Sequence, residues 1–134
     1  MPELDVMDAT WIAARPASVA PFIAEPANWT RWWPELQLSV EQRRGEKGMR
    51  WIVRSGRGGS VAGSMEIWLE PAQDGTIAHY FLRLDGTRRP LRVRERKRLE
   101  DEYRTRVKRA FWAVSARLDP GRLARVGGPA QRVP

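Results

Sequence analysis

His79 is the single histidine of the chain and the one side chain whose ordinary pKa lies near neutrality. Proton transfer at pH 7 without tuning would fall to it first. Glu100 could add an acceptor, and Tyr103 a hydroxyl for orientation or acid–base work. Arg92 and Arg96 could hold a carboxylate or phosphate, because each guanidinium presents a planar fork of donors. Each has a plain structural alternative as well. A lone strand histidine and a core tyrosine can be satisfied internally, and arginines can snorkel to water or pair with Glu100 about one helical turn on.

Composition removes most other chemistry. The 134 residues include no cysteine, which excludes disulfides, thiolate metal sites and Cys nucleophiles, and one histidine argues against His-based triads and His-cluster metal sites. No cofactor or metal is expected. Gly56-Arg57-Gly58-Gly59 lacks the Lys-Ser/Thr of a phosphate-binding loop and reads as a hairpin turn. The net charge of +8 is unevenly spread: residues 1–87 hold 9 Lys/Arg and 11 Asp/Glu, residues 88–134 hold 15 and 5. Such a block can attract phosphates, an anionic membrane or an acidic partner. Of the 24 basic residues 21 are Arg, however, which points to a general bias toward arginine rather than to a ligand. No RNA-recognition motif accompanies it, and nucleic acid is not the expected partner. The acidic start has no signal-peptide pattern and no run approaches the ~18 apolar residues of a membrane span, so a cytoplasmic protein is expected.

The elements that would position these groups follow from periodicity. Asp5–Ala13, with Val6, Met7, Trp11 and Ile12, reads as a strand ending at Arg15-Pro16. Pro16 and Pro26 open two short helices, the first bent or restarted at Pro21, the second carrying Trp29, Trp32 and Trp33 and closed by Pro34. From Leu36 the period becomes two: Leu36, Leu38, Val40; Met49, Trp51, Val53; Val61, Met65, Ile67, Leu69. Glycine-containing turns separate these runs, which predicts an antiparallel meander closed by a fourth run, Thr76–Asp85. In that last strand Ile77, His79, Phe81 and Arg83 oppose Ala78, Tyr80, Leu82 and Leu84, and either set can face the core. A long helix ends at Asp119-Pro120-Gly121. One face of it carries Leu99, Tyr103, Val107, Ala110, Phe111, Val114 and Leu118, all within roughly 80° of Tyr103 at about 100° per residue. Followed backwards, that face meets Arg96 and Arg92, as the polar end of a cavity would. Trp112 lies on the opposite side, where an aromatic suggests a contact surface: a homodimer patch, a peripheral membrane anchor beside the basic residues, or else an exposed Trp with no role.

Ala9-Thr10-Trp11-Ile12-Ala13 running into Pro16–Ile23, the segment Pro26-Ala27-Asn28-Trp29-Thr30-Arg31-Trp32-Trp33-Pro34, and Gly75–Tyr80 together resemble the START-like superfamily, the Bet v 1-like and polyketide cyclase/dehydrase group. The resemblance spans most of residues 5–118, and Trp-x-x-Trp-Trp-Pro is its most specific part. It implies an α+β helix-grip fold over residues 1–119, a curved antiparallel sheet wrapped around the C-terminal helix, followed by a flexible basic tail at 120–134. Four strands fit between Pro34 and the long helix, where members of the group typically place six.

What the resemblance implies for function is binding of a small amphipathic ligand, such as a lipid, polyketide or isoprenoid, between sheet and helix. Trp33, Trp51, Met65, Ile67, Leu69 and Tyr103 would line the cavity, and Arg92 and Arg96 would form a cationic rim. Two alternatives stand beside it. A cyclase- or dehydrase-type enzyme would move protons through His79, Tyr103 and Glu100. A macromolecule-binding protein would engage RNA or an anionic membrane through the basic segment.

Overall fold

The computed structural model describes residues 2–119; the tail expected at 120–134 lies outside the described residues. The chain runs β1 (Leu4–Ile12), α1 (Pro16–Ile23), α2 (Pro26–Trp32), β2 (Leu36–Arg43), a short 3-10 turn at Gly45–Lys47, β3 (Gly48–Gly56), β4 (Val61–Ala72), β5 (Gly75–Gly86) and α3 (Val93–Leu118). The four meander strands pair in sequence and β1 pairs antiparallel with β5, giving one five-stranded sheet in the order β1-β5-β4-β3-β2. This is the expected α+β helix-grip arrangement.

Alternation decides which side of the sheet meets the helix. Met49, Trp51 and Val53 of β3, Met65, Ile67 and Leu69 of β4, and Ala78, Tyr80, Leu82 and Leu84 of β5 are all buried beneath α3. The two candidate faces of β5 are thereby distinguished: Tyr80 is inside, and His79 and Phe81 are outside. The helix contributes Leu99, Tyr103, Val107, Ala110, Phe111 and Val114, the stripe its period marks.

β1 departs from a simple apolar alternation. Its inward positions include Asp8 and Thr10, between buried Val6 and Ile12. Lys108 of α3 explains them: its ammonium donates to the Ala9 carbonyl and the Thr10 hydroxyl, both at 2.9 Å, and stands 3.4 Å from Asp8. One cation thus fastens the helix to the sheet edge.

Two glycines permit close approaches. At Gly48 (φ 113°) an added Cβ would lie 2.0 Å from the Ile67 carbonyl oxygen, so only glycine fits where β3 begins against β4. At Gly75 a Cβ would lie 2.6 Å from the Trp11 ring, which covers the start of β5. Pro21 sits inside α1 and removes one donor there, yet the helix continues to Ile23. α3 begins at Val93 with Arg92 as its N-cap. The Glu95 carboxylate accepts from the Arg92 backbone N–H at 3.0 Å, half of a capping box.

Candidate functional site

α2 and the turn after it carry aromatic side chains into the space between sheet and helix. Trp33, Trp51 and Tyr80 are fully buried there. The Trp33 and Tyr80 rings stack at 6.0 Å and 5°, Trp51 leans against Trp33 at 6.1 Å, and Trp29 meets Trp51 edge-on at 5.3 Å. Met65 completes this cluster as acceptor of the Tyr80 hydroxyl, 3.4 Å from its sulfur. Ile67 and Leu69 continue the floor along β4.

The cluster is apolar in bulk but carries donors without acceptors. The indole Nε1 of Trp33 and that of Trp51 are buried and unbonded. Trp33 Nε1 approaches the Tyr80 phenol without forming a well-aligned bond to it. Leaving a buried donor unsatisfied costs about 1–3 kcal/mol each. A 280 Å³ opening between α2 and β2, lined by Pro26, Trp29, Thr30, Trp33, Leu36 and Leu38 among others, borders this cluster at Trp29 and Trp33.

A charged network closes the helix side. The Tyr103 hydroxyl donates to Glu35 Oε1 at 2.5 Å, and Arg106 donates to Glu35 Oε2 at 2.9 Å. Glu102 receives Arg106 at 2.9 Å and Arg57 at 3.0 Å. Arg57 comes from the β3–β4 turn, held at φ 53° so that it reaches back over α3. Burial and the hydrogen bond to Glu35 push the Tyr103 phenol well above its usual pKa, and burial does the same to Tyr80. Both phenols therefore stay protonated at neutral pH.

The residues singled out from sequence fall in four places. Trp33, Trp51, Met65 and Tyr103 meet in the interior, with Ile67 and Leu69 beside them. Arg92 is exposed at the helix cap. Arg96 is half-buried with its Nε unpartnered, and lines a 260 Å³ hollow with Glu3, Leu4, Val93, Lys97 and Glu100. His79 lies on the outer face of the sheet, where it bonds Glu70 at 2.8 Å and stacks on Trp68. Glu100 pairs along the helix surface with Arg104 at 2.7 Å. His79, Glu100 and Tyr103 are thus not brought together. Trp112 is half-buried, one turn beyond Lys108.

Glu35, Arg57, Arg106 and Tyr80 were not among the sequence candidates. Glu35 carried a signal, as a lone charge between Pro34 and a strand's first apolar residue. Arg57 carried none, because Glu102 lies 45 residues further on, and Arg106 showed only its i,i+4 spacing to Glu102, not its bond to Glu35 71 residues earlier. Among the described residues no three His, Asp or Glu side chains gather as a metal site requires, and no helix is long and apolar enough to cross a membrane.

No protein-family model matches the chain, and no curated protein matches it by sequence. Solved structures do match. The Aha1 dimer from Colwellia psychrerythraea superposes at a TM-score of 0.57 with 9% identity, covering 84% of this chain and 96% of that one. A START superfamily protein from Mycobacterium smegmatis gives 0.54 with 15% identity, covering 87% and 97%. Ara h 8.0201 gives 0.52 with 13% identity, covering 82% and 96%. At these identities the likeness is one of fold: the chain shares the helix-grip arrangement of these structures.

Proposed function

We propose that this domain binds a compact amphipathic molecule between the sheet and α3, with a hydrogen-bond acceptor of the ligand meeting the indole N–H groups of Trp33 and Trp51. The two unsatisfied buried donors carry this reading, because an occupant with a carbonyl, ether or carboxylate oxygen would meet a need the protein leaves open. The fold supports it through likeness alone: the structures that superpose include a START superfamily protein. The opening of 280 Å³ sits just below the usual range for ligand pockets, roughly 300–1,000 Å³, which favours a small ring system or short isoprenoid over a long-chain lipid. Arg57 and Arg106 are already balanced by Glu102 and Glu35, so the cation that would favour an anionic head group is Arg96, at the far end of α3. The separation of His79, Glu100 and Tyr103 favours a binder over a proton-transfer enzyme of the cyclase or dehydrase type.

Trp33→Phe and Trp51→Phe keep a ring in place and remove only the N–H. Each should weaken a ketone or carboxylate ligand about tenfold, the effect of roughly 1.4 kcal/mol, and leave a matched hydrocarbon unchanged. The measurement is thermal shift and calorimetric titration with paired short amphiphiles, together with native mass spectrometry of the purified protein. Absence of any co-purified molecule and of any shift across the panel would sink the proposal.

A further inference from the structure

Seven cations crowd into residues 88–98, the segment leading into α3 and its first turns, with one carboxylate, Glu95, among them. Glu95 is already engaged: Arg89 donates to both its oxygens, at 2.8 and 3.2 Å, and one of them also accepts the Arg92 backbone N–H. Glu3, packed beside this segment, accepts the backbone N–H groups of Gly86 and Leu91, and Glu100 turns to Arg104. Arg88, Arg92, Arg94, Arg96, Lys97 and Arg98 therefore form no ion pair with any described residue. Even with Glu3, Asp85 and Asp101 counted against it, this surface stays positive by three charges. None of residues 88–98 is buried.

The helix gains nothing from this placement. The positive end of its dipole favours carboxylates in the first turns, and Arg94, Arg96, Lys97 and Arg98 stand there instead. Like charges one turn apart, as at Arg94 and Arg98, repel as well. An anionic surface lying against these turns would offset both costs. Val93 indicates which kind of surface. It is the first residue of α3 and 70% exposed, the most of any large apolar side chain among the described residues, and Pro90 near it is exposed too. Cations around a protruding apolar tip fit the headgroup region of an anionic bilayer, where phosphates meet the cations and the apolar group enters the interface. A nucleic acid would find no aromatic ring to stack on its bases anywhere in residues 88–98.

We propose that residues 88–98 dock this protein on an anionic lipid bilayer, with the arginines and Lys97 against the headgroups and Val93 in the interface. Trp112, the aromatic that sequence offered for a membrane contact, lies about 28 Å further along the helix and takes no part. Val93 and Lys97 share a hollow with Leu4 of β1, whereas the opening beside α2 lies at β2, the other edge of the sheet. The docking surface is thus separate from the ligand reading and does not rest on it.

Co-sedimentation tests it, with phosphatidylcholine vesicles carrying about 30% phosphatidylserine against vesicles of phosphatidylcholine alone, in about 0.1 M NaCl. The protein should sediment with the first and not with the second, and rising salt should release it. Arg94→Gln combined with Lys97→Gln should weaken binding roughly thirtyfold, because each cation near an anionic surface counts for about fivefold. Arg43→Gln combined with Lys47→Gln removes the same charge at the opposite edge of the sheet and should change binding less than about twofold. Val93→Ser leaves the charge unchanged and should weaken binding about fivefold. All of these side chains are exposed, so the variants should keep the native circular dichroism spectrum and a cooperative melt. Failure of the wild-type protein to bind the phosphatidylserine vesicles overturns the proposal, and so does equal loss from the two charge pairs. Tighter binding to a duplex oligonucleotide than to the vesicles, unaffected by Val93→Ser, overturns it in favour of a nucleic acid.

Discussion

Tyr103 shows how one side chain can be core and polar group at once. Its ring is buried in the apolar stripe of α3, and its hydroxyl leaves that stripe to donate to Glu35, which Arg106 holds from the other side. Sequence showed the ring position through its helical spacing but not the partner, because Glu35 lies 68 residues earlier. The consequence is measurable, since the chain has only two tyrosines and both are buried. Burial raises the pKa of each above the usual 10.0, and the Glu35 bond adds to the shift at Tyr103. A phenol with a raised folded pKa contributes stability below pH 10 that is lost as the pH climbs above it, because the unfolded tyrosine ionises first. Spectrophotometric titration at 295 nm should therefore show no phenolate in the native protein near pH 10, with both groups ionising at a higher pH or on unfolding. Ordinary titration of one tyrosine at pH 10 would contradict the buried Tyr80 and Tyr103 environments.

Among the elements, β1 and α3 depend on one another most. β1 is an edge strand joined to the sheet through β5, and Lys108 bonds it to the helix from above. The inward Asp8 and Thr10 weaken β1 as an apolar strand, and only the placement of Lys108 one to two turns beyond Tyr103 makes sense of them. Lys108→Met keeps the aliphatic stem and removes the donors, leaving Asp8 facing the core side without a cation. Hydrogen bonds to charged groups contribute about 1.5–3 kcal/mol, so a loss of that size is expected in denaturant melts. Amide exchange should quicken first in β1. Equal acceleration throughout the sheet would mean that Lys108 adds to global stability without holding the edge.

At the scale of the molecule, charge and apolar surface are segregated. α3 and the segment leading to it carry the excess of arginine, whereas the outer sheet face pairs its charges and exposes Trp68 and Met7. The charged surface should respond to salt: retention on an anionic resin should vanish by about 1 M NaCl, where the screening length falls to ~3 Å. Retention that survives 1 M NaCl would mean that the arginine-rich helix is not what holds the protein there.

Sequence alone determined the element order, the five strands and the buried stripe of α3. Each is a local property: hydrophobic period, turn glycines and prolines act within about ten residues. It also placed Trp33, Trp51, Met65 and Tyr103 in one interior, because alternation and the helical stripe can be intersected without coordinates. Tertiary structure alone decided which face of β5 turns inward, and so put Tyr80 in the aromatic cluster and His79 outside it; both faces hold large side chains, and only the packing of α3 chooses between them. It alone brought Glu35 and Arg57 to the Glu102–Arg106 pair of α3, whose i,i+4 spacing is the one local contact in that network. It also ended α3 at Arg92, where a helix cap turns the side chain to solvent, so the cationic stripe stops at Arg96. Local periodicity can say which residues a surface holds, but the pairing of distant charges and the lack of an acceptor beside a buried N–H exist only once the chain has closed.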